Sequence, residues 1–168
     1  WTPSGQWVSI MIQLARHLNL KLDLVAQMYA YIGPAMADGF IVCWRAKYHY
    51  NYLRPQSYIR DYIDPNWFPF LVTPPFPAYP SGHSSLSGGC AEIMKELFGD
   101  MHITDYTHQD IGYLPRSFET FAAVAEEAAF SRLYGGIHYE FDSINGLRAG
   151  HVLGRYILNK IQISSIPK

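Results

Sequence analysis

Around Gly5 to His17 the apolar residues Trp7, Ile10, Met11, Leu14 and Leu18 recur at intervals of three and four, one stripe of an amphipathic helix. A longer helical pattern runs from Leu22 towards His49, and Gly33-Pro34 inside it predicts a kink or a break. Asp64 to Pro80 contains six prolines (Pro65, Pro69, Pro74, Pro75, Pro77, Pro80) among aromatics and reads as a stiff segment without a regular element. A third helix is expected from Ser81-Gly82 through about Leu97, stopped by Gly99, with small residues early on that permit close packing. Gly99 to Pro115 is polar and irregular. From Ser117 the positions Phe118, Phe121, Ala122, Ala125, Ala128, Ala129 and Leu133 give another buried helix, stopped by Gly135-Gly136, and a last helix spans about Ser143 to Ile161. No internal repeat and no convincing strand is found, so the expected fold class is an all-α helical bundle in one domain, residues 1–168.

The composition fits one compact core, with 49% hydrophobic and 16% charged residues. Net charge is −1 and there is no long basic run, which argues against nucleic acid as a partner. The longest apolar stretches, such as Gly39 to Trp44, fall far short of the roughly 20 residues that span a bilayer. Cys43 and Cys90 lie in apolar surroundings and read as buried free thiols.

Against this background three clusters carry chemistry: Lys47 with Arg54-Pro55, Pro80-Ser81-Gly82-His83, and Ser131-Arg132 with His138 and Asp142. Together they offer three permanent cations (Lys47, Arg54, Arg132), a hydroxyl and a backbone N–H from Ser81 and Gly82, and two imidazoles (His83, His138). A tetrahedral oxyanion needs such a set: fixed positive charge to offset it and donors aimed at its oxygens. Three unpaired buried cations would be very costly without an anion. Ser81-Gly82 stands where a loop meets a helix start, so its hydroxyl, N–H and helix dipole converge on negative charge. Asp142 lies four residues after His138 and, if that stretch is helical, can reach the imidazole Nδ1–H and leave Nε2 free as nucleophile or ligand. Taken one at a time these features have plainer readings: solvated surface cations, a helix N-cap, a structural His–Asp bond. The segment Met101-His102, Asp105, His108 and Asp110 mimics metal-ligand spacing but reads as a polar loop, and His17, His49 and His151 have no partner in the pattern.

In order and spacing the three clusters, Lys-x6-Arg-Pro, Pro-Ser-Gly-His and Ser-Arg-x5-His-x3-Asp, resemble the signature of the type 2 phosphatidic acid phosphatase superfamily, which includes acid phosphatases, lipid phosphatases and vanadium-dependent haloperoxidases. Trp44, three residues before Lys47, and the run Phe76-Pro77-Ala78-Tyr79-Pro80 resemble the haloperoxidase branch, in which a Trp and a Phe at these places border the halide pocket. The resemblance implies a bundle of that type and a vanadate cofactor, with phosphate able to occupy the same site. In it His138 is the apical metal ligand and Asp142 orients it, while Lys47, Arg54, Ser81, Gly82 and Arg132 hold the oxygens. His83 is the acid-base group and Lys47 polarises the oxygen taken from hydrogen peroxide, which passes to halide as hypohalous acid. The alternative within the superfamily is an acid phosphatase acting on a phosphate monoester through a phospho-histidine at His138, with His83 protonating the leaving group. A non-catalytic anion-binding or scaffold role is the third class. The resemblance also suggests a secreted or periplasmic protein. Haloperoxidases of this branch are longer, so the chain is expected to be the C-terminal part of a longer protein, leaving open a homo-oligomer or association with an upstream portion.

Overall fold

The computed structural model describes residues 3–161. The helices are α1 (Pro3–His17), α2 (Leu22–Tyr50), α3 (Pro55–Tyr62), α4 (Gly82–Phe98), α5 (Phe121–Tyr134) and α6 (Glu140–Lys160), and the fold is an all-α bundle with one small hairpin. Helix α4 is the axis: it packs against α6, α5, α2 and α1. Ten of its residues are buried, among them the small run Ser87, Gly88, Gly89, Cys90 and Ala91. Trp7 of α1 is fully buried in the core that forms around α4, with its indole N–H donating to Ser87 Oγ at 2.9 Å. Among the described residues no helix is long and apolar enough to cross a membrane.

Three local differences from the sequence pattern have physical reasons. Helix α2 continues through Pro34 without a break. Proline removes one helical hydrogen bond, and the burial of Met28, Tyr31, Ile32 and Ala35 on either side outweighs that loss. The polar stretch after Gly99 contains two short strands, β1 (Ile103–Asp105) and β2 (Arg116–Phe118), paired antiparallel with Ile103 opposite Phe118. Three residues are too few to show a period of two. The hairpin is anchored by buried Asp105, which accepts from Gln6 Nε2 at 3.0 Å and from the Thr107 side chain, so the polar spacing there is structural. Helix α6 begins at Glu140, earlier than the apolar stripe suggests, and His138 therefore precedes it.

The helix ends position the site. Asn51 closes α2 in the left-handed region at φ 47°, with its N–H on the Lys47 carbonyl at 2.8 Å. Arg54 is extended because Pro55 follows it, and Pro55 then opens α3 at a position where no N–H is needed. Ser81 caps α4, its hydroxyl accepting from Ser84 N at 3.4 Å. Cys43 and Cys90 are buried free thiols.

Candidate active site

Lys47, in the last turn of α2, is fully buried and donates to the Pro77 and Ala78 carbonyls at 2.8 and 2.9 Å. Arg54 donates through Nε to the Phe76 carbonyl and through Nη1 to the Ile137 carbonyl, both at 2.7 Å. Three consecutive carbonyls of the proline-rich segment thus hold two cations. A sequence signal for this exists: proline supplies a carbonyl but no N–H, so such a segment carries surplus acceptors. The Phe76 ring adds its π-face, 5.3 Å from Lys47 Nζ and 5.1 Å from the Arg54 guanidinium carbon, and packs on Trp44 at a centroid separation of 5.0 Å. Trp44 in turn closes on the first turn of α4, where a Cβ on Gly82 would lie 3.3 Å from its ring.

Arg54 Nη1 also approaches His138 Nε2 at 3.2 Å, and on the far side of that ring Nδ1 meets Asp142 Oδ2 at 2.8 Å. A guanidinium can only donate, so Nε2 is the acceptor and Nδ1 carries the proton given to Asp142. The ring is therefore neutral with a lone pair facing the cations. Burial, opposed by the Asp142 hydrogen bond and reinforced by Arg54, lowers the proton affinity of His138. Asp142 Oδ2 accepts a second bond from Tyr139 N–H at 3.1 Å, which places the carboxylate at the third position of α6 while His138 lies outside the helix. The four-residue spacing works through this capping geometry rather than through a helical turn.

The Ser81 N–H donates to the Asp142 carbonyl at 3.0 Å, which ties the start of α4 to the start of α6. His83 is the second residue of α4, its pKa lowered to about 3 by burial, then by Arg132 and His138. Arg132 reaches this side from the last turn of α5, with Nε on its neighbour Ser131 Oγ at 3.1 Å. Burial lowers the pKa of Lys47 to about 8 and that of both arginines below its ordinary value. The structure brings together Lys47, Arg54, Ser81, Gly82, His83, Arg132, His138 and Asp142, with Trp44 and Phe76 against Lys47. The Met101 to Asp110 segment lies on the hairpin, and no cluster of metal-binding side chains occurs among the described residues.

Lys47 and Arg54 thus share one carboxylate, Asp142, Arg132 adds a third cation beside His83, and Arg54 Nη2 is buried with no hydrogen-bond acceptor. An unsatisfied buried donor costs about 1–3 kcal/mol, more when charged. A guest that carries negative charge and several oxygen acceptors resolves both deficits, and His138 Nε2 would offer it a lone pair in exchange for the Arg54 Nη1 contact. The residues fit an oxyanion, including one whose central atom accepts a nitrogen ligand. Outside the site, the sequence pattern gave no sign that His151 pairs with Glu92, Nδ1 to Oε2 at 2.6 Å, beside the Arg155 to Glu92 bond at 2.7 Å.

The chain matches the family described as the VCPO second helical-bundle domain over residues 27–65 and 63–165. It is similar to the vanadium chloroperoxidase of Curvularia inaequalis, 26% identical over 172 residues, which takes in 70% of this chain and 28% of that protein. To the vanadium-dependent bromoperoxidase of Ascophyllum nodosum it is 34% identical over 94 residues, or 48% of this chain and 17% of the relative. Among solved structures, that of the first bacterial vanadium-dependent iodoperoxidase superposes with a TM-score of 0.94 at 42% identity, covering 98% of this chain and 40% of the other. A holo-type bacterial vanadium-dependent chloroperoxidase superposes at 0.75 with 20% identity over 94% of this chain and 40% of the other, a likeness of fold. The chain therefore spans well under half the length of each of these relatives.

Proposed function

The chain belongs to the family of the VCPO second helical-bundle domain, and on that premise we propose that its buried cationic cup holds vanadate and serves the oxidation of halide by hydrogen peroxide. The relatives it resembles are vanadium haloperoxidases. The observation that carries the reading is the pairing of an acceptor-less buried Arg54 Nη2 with a neutral His138 whose Nε2 lone pair faces the same cations.

On this reading His138 Nε2 is the nitrogen ligand, and Arg54, Arg132, Lys47 and the Ser81-Gly82 start of α4 hold the oxygens. Vanadate bound there supplies a Lewis-acidic centre that makes peroxide oxygen electrophilic toward halide. Asp142 keeps the His138 proton on Nδ1, so the ligating nitrogen stays a lone-pair donor. Lys47 has two of its three N–H bonds fixed on the Pro77 and Ala78 carbonyls, which leaves one for a guest oxygen. His83, with its pKa depressed to about 3, is in its base form at physiological pH, and a bound anion strengthens its hold on a proton taken from peroxide. Trp44 and Phe76 form the apolar border where a weakly hydrated halide would approach. Residues 1–168 act in this scheme as a single helical domain.

Nothing in the cation set separates vanadate from phosphate, which share shape and charge, so the test must. Chelator-stripped protein is reconstituted with orthovanadate and assayed for peroxide-dependent halide oxidation and for aryl phosphate hydrolysis. Halide oxidation with weak hydrolysis is expected. Dominant hydrolysis that vanadate merely inhibits would transfer the chain to the phosphatase reading. His138→Ala is expected to lose tight vanadate binding, while His83→Ala keeps vanadate and loses turnover. Equal vanadate affinity in the His138 variant and the parent refutes the ligand role.

A further inference from the structure

Helix α6 touches the Ser81 backbone twice. The Asp142 carbonyl accepts the Ser81 N–H at 3.0 Å, and one turn further along α6 Gly146 lies against the Ser81 carbonyl on the other side of the same residue. A Cβ built on Gly146 would stand 2.9 Å from the Ser81 oxygen, 2.7 Å from Ser84 Cβ and 3.3 Å from Ser85 N. The contact is with backbone and with the root of a short side chain, so no rotamer change relieves it. Carbon atoms pack at about 3.5–4.0 Å, so an added methyl must push the first turn of α4 away by roughly half an ångström or more.

We infer that Gly146 is a positioning residue: its missing side chain sets the gap between the Ser81-Gly82 donors and the His138–Asp142 pair, and thereby the fit of the oxyanion between them. The inference rests on the proposed oxyanion site. Ser81-Gly82 and His138 approach the guest from two different helix starts, and the α4–α6 contact, the most extensive between helices in the fold, joins the two directly. Asp142 serves this contact with its carbonyl and serves His138 with its carboxylate, so a shift of α4 against α6 is felt on both sides of the guest. Binding constellations tolerate about 0.5 Å, and a misplacement of about 1 Å costs on the order of a hundredfold.

Gly154 provides the control. It lies on the same helix pair two turns further from the site, and its Cβ would be crowded nearly as closely, 2.9 Å from the Gly89 oxygen and 3.0 Å from Glu92 Cβ. Gly146→Ala and Gly154→Ala should lower Tm by similar amounts if both are matters of packing. Orthovanadate dissociation constants of the full chain, measured by calorimetric titration, then separate the roles. Gly146→Ala is expected to bind at least about tenfold more weakly than the parent, and Gly154→Ala within about twofold of it. Equal affinities in the two alanine variants overturn the inference. A parent that binds no orthovanadate instead sinks the oxyanion reading beneath it. Should Gly146→Ala fail to fold, Gly146→Ala combined with Ser84→Gly decides in its place, because loss of Ser84 Cβ, the nearest atom at 2.7 Å, relieves part of the clash and leaves the one on the Ser81 carbonyl. Weaker binding in the double variant than in Ser84→Gly alone supports the inference, and equal affinity of the two refutes it.

Discussion

Replacing Arg54 with methionine keeps an apolar stem of similar length and deletes the guanidinium whose Nη2 lacks an acceptor. In the anion-free protein the consequences oppose one another. A buried cation close to Lys47 disappears, while the Phe76 and Ile137 carbonyls lose their donor. In the anion-bound protein the loss has one sign, because each charge-assisted bond to the guest contributes about 1.5–3 kcal/mol, or roughly 10- to 150-fold in Kd. The difference between melts with and without anion cancels the baseline. At orthovanadate about 100 times the parental Kd, linkage stabilises the parent by about 2.7 kcal/mol; a variant binding 100-fold more weakly gains only about 0.4 kcal/mol. For a chain of this length about 2–4 °C of Tm corresponds to each kcal/mol, so the anion-induced shift should shrink from roughly 5–11 °C to about 1 °C. Scanning calorimetry at matched ionic strength reads it directly. An undiminished shift in Arg54→Met would mean that the guanidinium does not face the guest.

Four further outcomes follow from the geometry. Asp142→Ala, which strips His138 Nδ1 and Tyr139 N of their acceptor and leaves the cations without a counter-charge, is expected to cost about 3–5 kcal/mol in urea unfolding; a loss under about 1 kcal/mol would contradict the buried pair. Burial holds the Lys47 pKa at about 8, below its ordinary value, so between that pH and about 10 the unfolded chain carries more protons and the destabilisation due to this group fades as pH rises. The same deprotonation removes a charge from the cup, so the affinity for inorganic phosphate should fall as pH rises through about 8 in the parent and stay level in Lys47→Arg; parallel curves would remove Lys47 from the anion's surroundings. Phe76→Ala, which takes away the ring face that both Lys47 and Arg54 share, should weaken phosphate binding several-fold in the same titration, and unchanged binding would reduce Phe76 to packing.

The helical pattern was legible where a stripe and a stop signal coincided. Ser81 and Gly99 bracket α4 as expected, and Gly135-Gly136 ends α5. It was illegible where length or context overrode the local rule, as at Pro34 inside α2 and in the three-residue strands after Gly99.

By itself the sequence determined which side chains the site can use, because fixed cations, imidazoles and a helix-capping Ser-Gly pair are chemical identities that no packing alters. It also placed Asp142 within reach of His138, but the link forms through the cap of α6 rather than the helical turn that the spacing suggests. Only the tertiary structure decided that three consecutive carbonyls from Phe76 to Ala78 hold Lys47 and Arg54, and that the latter's remaining nitrogen is left without an acceptor. It also decided that Gly146 admits the Ser81 carbonyl against α6. Those contacts join residues 22 to 65 positions apart, and at such separations the approach is set by how α2, α4 and α6 pack, which local residue preferences do not encode.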